Sequence, residues 1–408
     1  MKIVLLHNHY QQAGGEDNVF STEATLLEAH GHEVRRHSVH NDAIDDMRRL
    51  AVARATLWNR DSYARLRALF REESPEIAHF HNTFPLISPA AYYAARAEGV
   101  PVVQTLHNYR LMCPNALLYR DGHVCHDCVG RRVAWPAVVH ACYRASRPAT
   151  AVTTAMLALH RMLGTWREAV TTYIALTEFA KQQFVAGGLP TDRIVVKPNA
   201  VSEDPLPGDH AGEFALFIGR LSTEKGLDVL LSAWRQLRSS LKLVIVGSGP
   251  LDALAQGSPA NVEWLGHVPR ARVLELMRQA TFLVFPSTVY EGFPMTLLEA
   301  LATGLPVIVS GHGSLAEIVP DGVAGLHVRP GDAFGLAATI RWALAHRLEL
   351  ARMGSRGRAL FLSKYTAEQN YAMLAATYQA TRDRFIASAA QRTSAGRANP
   401  SALPRTMA

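Results

Sequence analysis

The 408-residue chain has no run of about 18 apolar residues, the length a membrane-spanning helix needs; the nearest stretch, 149–166, is broken by His160 and Arg161. Nor does it open on a signal peptide: the first apolar run, Ile3-Val4-Leu5-Leu6, is too short for one and reads as a buried strand. Aromatics stand at 8% and glycine and proline are ordinary, which excludes collagen-like and low-complexity chains, and the lack of a fixed-period repeat excludes solenoids. Cysteine is scarce, four in all, so no disulfide framework carries the fold. Without an export signal the chain is expected in the reducing cytosol. Charge is only mildly one-sided: 42 Lys and Arg against 35 Asp and Glu give +7. That balance admits nucleic acid, an anionic membrane or a phosphorylated substrate and selects none of them. What the chain does have is length and a 48% hydrophobic content, enough for two domains with their own cores.

Short β-branched runs alternate with helical patterns, the signature of βαβ units and a parallel sheet. One series places strands at 2–6, 33–38, 77–81, 102–106, 173–176 and 194–196. A second restarts at 215–218 and continues at 242–246, 262–265, 282–285, 306–309 and 325–328. The stretch 198–212, with Pro198, Pro205, Pro207, Asp204 and Asp209, reads as a linker. The expected organisation is a first doubly wound domain over 1–200, a linker at 201–212 and a second domain over 213–365. A helix at 366–385, with Tyr371, Leu374 and Tyr378 at helical spacing, is expected to return to the first domain. Residues 386–408, small and polar, are expected to be disordered.

In open α/β sheets ligands bind beyond the carboxyl ends of the strands. After the strand at 215–218 comes Gly219-Arg220-Leu221-Ser222-Thr223-Glu224-Lys225-Gly226, whose two cations suit a diphosphate and equally suit a solvated loop. After Phe285 the chain reads PSTVYEGFPMTLLEA, with Glu291 in the loop and Glu299 in the second turn of a helix starting near Pro294. Gly292 and the free N–H groups of that first turn form an anion pocket, unless the two acids merely complement the helix dipole and solvent. Gly247-Ser248-Gly249-Pro250 follows another strand of the same domain.

These segments, in this order, resemble family 4 of the retaining glycosyltransferases with the GT-B fold: two Rossmann-like doubly wound domains facing a cleft. The matching stretches are FIGRLSTEKGLDVLLSAW, LVIVGSGPL, WLGHVP, VYEGFPMTLLEALATGLPVIVS and AEIVPDGVAGL. The resemblance implies that Arg220 and Lys225 grip the diphosphate of a nucleotide sugar in place of a metal, with Gly219 at the same turn. It implies that Glu299 holds the ribose hydroxyls and that Glu291 contacts the transferred sugar beside Gly292, Phe293, Pro294 and Met295. Gly247 and Gly249, with Val268 in the segment from Gly266 to Pro269, would line the base pocket. Glu317 resembles a further nucleotide-loop acid, although Gly311-His312-Gly313-Ser314 stands where many members carry paired glycines. On the acceptor side, Tyr10 to Asp17 reads YQQAGGED, so Gly14 and Gly15 permit close approach of a phosphate or sugar or make a mere tight turn, and Glu16 stands at the next helix. His107 matches a family histidine near the reacting carbon. His81 and Asn82 end the neighbouring strand, while strand alternation assigns His79 to the interior. No Asp-any-Asp motif is placed to hold a catalytic metal, so no cofactor is expected for catalysis. The implied activity is retaining transfer of a sugar to a glycan or polyprenyl-linked acceptor in bacterial capsule, exopolysaccharide or lipopolysaccharide synthesis. Two alternatives remain at this stage, a nucleotide-sugar epimerase and a catalytically silent nucleotide-sugar-binding partner.

Cys113, Cys125, Cys128 and Cys142 cluster within thirty residues, and the segment HNYRLMCPNALLYRDGHVCHDC, which holds the first three, is typical of one bacterial subgroup of these transferases. Cys125-His126-Asp127-Cys128 has metal-ligand spacing, so a structural zinc is one reading; a redox-sensitive disulfide or four packed small hydrophobes are the others. Between Val129 and Arg167 stand Arg131, Arg132, Arg144, Arg147, Arg161 and Arg167, interleaved with Trp135, Tyr143, Met156, Leu159, Met162 and Trp166. Such a stretch lies on an anionic inner-membrane surface or is a solvated basic helix. Nucleic acid is not an expected partner, for no stacking platform accompanies the arginines.

Overall fold

The computed structural model describes residues 1–11, 14–237 and 239–397, with side chains to 391. Its strands in chain order are β1 (Lys2–His9), β2 (Glu33–His40), β3 (Ile77–Asn82), β4 (Val102–Leu106), β5 (Tyr119–Arg120), β6 (His123–Val124), β7 (Thr172–Ala175), β8 (Ile194–Val196), β9 (Phe214–Ile218), β10 (Lys242–Val246), β11 (Val262–Gly266), β12 (Phe282–Phe285), β13 (Val307–Ser310) and β14 (Gly325–Val328). They form two six-stranded sheets, ordered β2-β1-β3-β4-β7-β8 and β11-β10-β9-β12-β13-β14, plus the hairpin β5-β6. Every pairing in the two large sheets is parallel. Parallel sheets are covered by helices on both faces, which is why their central strands read as unbroken apolar runs rather than alternations. Leu216, Ile245, Leu283 and Ile308 in one sheet and Val4, Leu5, Ala78 and Val103 in the other are wholly buried.

Strand order reverses at one point in each sheet, between β1 and β3 and between β9 and β12. There the flanking loops diverge and open a crevice, the place where open α/β sheets bind ligands. The loop after β9 carries Arg220 and Lys225 and the loop after β12 carries Glu291 and Gly292, so the expected donor residues flank the reversal in the second sheet.

The last helix, Ala367–Arg397, packs on the first domain: Leu374 and Tyr378 are wholly buried with Ile3, Leu5, Phe20 and Ile174. This helix corrects the expectation of a disordered tail from residue 386, since it continues to Arg397. Ala387, Ala389 and Ala390 explain why, because alanine is the strongest helix former and needs no buried face to remain helical next to an anchored helix. The remainder of the expected tail, 398–408, lies outside the described residues.

Candidate active site at the interdomain cleft

Each cation of the donor loops is held by an acid. Lys225 Nζ donates to both carboxylate oxygens of Glu291, at 2.7 and 2.9 Å, and Ser287 Oγ donates to Glu291 Oε1 at 2.6 Å. Arg220, half exposed, pairs with Glu224. Glu299 stands in the second turn of the helix Met295–Thr303 and accepts from Arg270 Nε at 3.0 Å. Burial raises the Glu299 carboxyl above its ordinary range, and Arg270 opposes that shift. Arg270 was not singled out from the sequence; its signal is its place at the start of the helix Arg270–Gln279, directly after Val268 and Pro269. Val268 is half-buried against the core of the second domain, and Phe293 is buried near Tyr365.

The strand-end glycines have a packing role besides any contact with a base. A Cβ on Gly247, whose φ is +135°, would fall 1.9 Å from the Gly219 carbonyl oxygen, and one on Gly249 would fall 2.5 Å from the Leu221 oxygen. The loops after β9 and β10 thus touch backbone to backbone, and Gly247 N–H donates to Gly266 O at 2.8 Å to tie in the loop after β11.

The two domains meet at the site. A Cβ on Gly292 would lie 2.5 Å from the carbonyl oxygen of His107, so the loop after β12 rests on the end of β4. A Cβ on Gly15 would lie 4.0 Å from Met295 Cγ, which brings the first-domain loop against the donor-side helix. Tyr119 and Thr288 hydroxyls are 3.0 Å apart, and Tyr290 packs edge-on against Phe179. Glu317 does not face a nucleotide loop as the resemblance implied. Its two oxygens accept the backbone N–H groups of Glu178 and Phe179 at 2.9 Å each, capping the first-domain helix Glu178–Ala186. His312, where paired glycines were the alternative, bonds through Nε2 to the Ser287 carbonyl at 3.1 Å.

On the acceptor side Gly14 caps the helix Gly15–Ala29, its N–H donating to Asp17 Oδ2 at 2.6 Å. Asn108 Nδ2 reaches Glu16 Oε1 at 3.4 Å and the Tyr10 hydroxyl at 3.3 Å. Burial pushes the Glu16 carboxyl up to about 7. Asn82 does not reach the cleft surface. It is buried, its Nδ2 donates to Asn8 O at 2.7 Å and its Oδ1 accepts from Phe84 N–H at 3.0 Å, so its polar atoms join β3 to β1. His81 is likewise buried, and His79 lies on the same face of β3, ring centroids 4.4 Å apart, because residues two apart on a strand point the same way. Only His107 of these histidines is partly exposed at the cleft.

The zinc reading of the cysteines gains no support from the structure. Two groups of three ligand atoms within 4.8 Å of one another occur among the described residues, and neither contains a cysteine. Cys113 donates its S–H to Asn115 Oδ1 at 2.8 Å, Cys128 packs with Ala134 and Ala137, and burial raises both thiols. One of the two groups, His7, His9 and Asp17, is closed by direct hydrogen bonds of 2.7 and 3.0 Å to a single Asp17 oxygen.

Comparison with known proteins agrees with this geometry. The model "Glycosyltransferase Family 4" matches residues 13–204 and "Glycosyl transferases group 1" matches residues 203–360. The chain belongs to glycosyltransferase family 4. This family 4 chain is 32% identical over 291 residues to a D-inositol 3-phosphate glycosyltransferase of Acidothermus cellulolyticus, covering 64% of the chain and 58% of the relative. It is 32% identical over 171 residues to a lipopolysaccharide 1,2-N-acetylglucosaminetransferase of Salmonella typhimurium, covering 38% and 44%. The matched stretches span 31% to 58% of the curated relatives' own lengths. A crystal structure of Alr3699/HepE from Anabaena in complex with UDP superposes with a TM-score of 0.67 at 18% identity, covering 93% of this chain and all of that one. The shared architecture is GT-B.

Proposed function

We propose that the chain transfers a sugar from a nucleoside diphosphate sugar to a glycan or lipid-linked acceptor, with retention of the anomeric configuration and without a catalytic metal, in bacterial surface-polysaccharide synthesis. The observation that carries this reading is the meeting of Lys225, Glu291 and Gly292 with His107 at one point of the cleft. On donor binding the diphosphate takes Lys225 and Arg220 from their acids, and their charge stabilises the departing nucleoside diphosphate. Glu291, released, faces the sugar, while Glu299, steadied by Arg270, receives the ribose hydroxyls. His107 borders the sugar from the first domain. The acceptor enters past Gly14, Gly15 and Glu16 and attacks from the face the diphosphate leaves, whose phosphate oxygen accepts the acceptor proton. The polymer setting is supported by relatives such as the lipopolysaccharide transferase of Salmonella typhimurium.

No helix among the described residues is long and apolar enough to cross a membrane. A peripheral position on an anionic bilayer is supported by Val133, Trp135, Val139, Met162 and Leu163, all exposed, with Arg131, Arg132 and Arg147 exposed in the same segment. Thermal-shift binding of UDP, GDP and ADP and their glucose conjugates in the presence of EDTA tests the donor site. One diphosphate should stabilise the wild type and, at the same concentration, stabilise Glu299→Ala and Arg220→Ala clearly less; no shift of the wild type with any of them would turn the reading to a silent partner.

A further inference from the structure

Behind His107 the first domain contains a line of buried polar side chains that sugar transfer does not by itself require. His81 Nδ1, on β3, lies 3.0 Å from His107 Nε2 at the end of β4. The other nitrogen of His81, Nε2, lies 3.4 Å from Glu23 Oε2. Glu23 Oε1 accepts from Lys197 Nζ at 2.6 Å, and the ammonium also donates to Asn370 Oδ1 at 3.2 Å and Pro198 O at 3.4 Å. The side chains of His81, Glu23 and Lys197 are 0, 4 and 0% exposed. His79 flanks this line without extending it, since its nitrogens are taken by the Tyr378 and Thr105 hydroxyls at 2.8 Å each. Glu23, His79 and His81 also bring three ligand-type atoms together. The Lys197 ammonium already supplies the positive charge that Glu23 requires there, so the cluster is complete as an ion pair.

The placement of protons follows from these contacts. Burial would raise the Glu23 carboxyl, yet the Lys197 ammonium holds it below its usual range, so it is ionised. Burial drives His81 well below the usual histidine range and His107 down to about 3, so both rings are neutral. A neutral imidazole carries one N–H. On His81 that proton belongs at Nε2, because a lone pair set against a carboxylate in a dry site is repelled and leaves both atoms unsatisfied. The 3.4 Å approach is a charge contact rather than a formed hydrogen bond, and among the described residues neither His81 Nε2 nor Glu23 Oε2 has a hydrogen-bond partner, so each is the other's nearest means of satisfaction. His81 Nδ1 is then a lone pair, the shared proton between the two rings belongs to His107 Nε2, and His107 Nδ1 is left as an acceptor.

We propose that Glu23, held by Lys197, is a positioning residue that acts through His81 to fix His107 in its Nε2–H tautomer, so that His107 Nδ1 meets the donor sugar as a hydrogen-bond acceptor. This inference rests on the donor-sugar reading of the cleft, and it narrows the substrate class. The sugar must present an O–H to His107, and a sugar deoxygenated or oxidised to a carboxylate at the position that faces it finds no donor-acceptor match there. The line also ends on Asn370 of the last helix and on Pro198, so the same contacts that bind the last helix to the first domain hold the relay.

Nitrogen-15 NMR of the full chain, labelled at histidine and with His107 assigned by its loss in His107→Gln, reads the tautomer directly. The wild type should show His107 with a bare Nδ1 and a protonated Nε2, unchanged from pH 6 to 8; a protonated Nδ1 overturns the proposal. In the double variant Glu23→Gln with Lys197→Met, both buried charges leave together and neither is stranded. There the Nδ1–H form should appear, and kcat for UDP release from UDP-glucose should fall roughly 10- to 100-fold with KM within about threefold. A folded double variant with the wild-type tautomer and kcat overturns the relay, and the wild-type spectrum alone decides should the variant not fold. A wild type with the Nε2–H form that turns over none of UDP-, GDP- and ADP-glucose counts against the transferase reading and leaves the relay standing.

Discussion

Lys225 and Glu291 grip each other through two hydrogen bonds, 2.7 and 2.9 Å, across the point where the order of the second sheet reverses. The pair is mostly buried, with 23% and 11% of the side chains exposed, so each partner is costly to strand. On the proposed donor reading a diphosphate must break this contact, for a phosphate and a carboxylate compete for one ammonium. Opposite outcomes are therefore expected from removing the two ends. Lys225→Ala should weaken UDP binding by about tenfold or more in calorimetry. Glu291→Gln should bind UDP as tightly as the wild type or more so, yet turn over a nucleotide sugar poorly. A Glu291→Gln variant as weak toward UDP as Lys225→Ala would refute the competition.

On the proposed donor reading, Glu299 and Arg270 meet the nucleoside and not its phosphates. Glu299 sits a helical turn and more beyond the Glu291 loop, held by Arg270 at 3.0 Å, and its carboxylate suits ribose hydroxyls rather than anions. Glu299→Ala should cost about tenfold, near 1.4 kcal/mol, in UDP affinity. Pyrophosphate, which has no ribose, should bind both proteins alike. Equal losses for the two ligands would show that the substitution disturbs the whole loop.

Gly292 tests domain closure. Its missing side chain lets the donor loop rest on the His107 backbone, and a methyl group would meet that carbonyl oxygen at 2.5 Å with no flexible side chain to yield. Overpacking inside one core costs about 1–3 kcal/mol, but here the contact joins two domains and can be relieved by parting them. Gly292→Ala should therefore lower turnover while the melting temperature stays close to that of the wild type. Small-angle scattering with UDP should give a larger radius of gyration for the variant. An unchanged radius with full turnover would place the clash elsewhere.

Both large sheets were legible in the sequence because a parallel strand buried on both faces is a short apolar run that needs no partner to be recognised. The placement of Arg220, Lys225, Glu291 and Glu299 was legible for a related reason: they lie on loops and a helix start that follow those runs directly. The relay behind His107 was not, since Lys197 and Glu23 are 174 residues apart and an isolated lysine before a proline carries no local signal. Glu317 misled for the opposite reason, its motif being local while its partners, the N–H groups of Glu178 and Phe179, belong to the other domain. Spacing was equally weak evidence for the cysteines: Cys113 and Cys128 are buried and donate to neighbouring acceptors, while Cys125 and Cys142 are half-exposed. The alanines after residue 386 were read by polarity when their helix propensity decided the outcome.

Glu16 gives the cleft a pH dependence. Its carboxyl is raised to about 7 by burial beside Tyr10 and Asn108, against an ordinary 4.5. Between those values the folded protein holds a proton that the unfolded chain has released, so stability falls as pH rises through the window from 4.5 to 7. The same titration changes what the acceptor meets. Below pH 7 Glu16 can donate a hydrogen bond, and above it the group accepts only and repels a phosphate on a lipid-linked acceptor. Glu16→Gln fixes the neutral form. The variant should lose the part of the stability slope between pH 5 and 7 that belongs to this group, read from urea midpoints, and should be the more stable of the two at pH 8. Its acceptor KM should no longer rise across neutrality. If wild type and variant show the same slope and the same KM profile, the carboxyl titrates in its ordinary range and the acceptor loop is open to water.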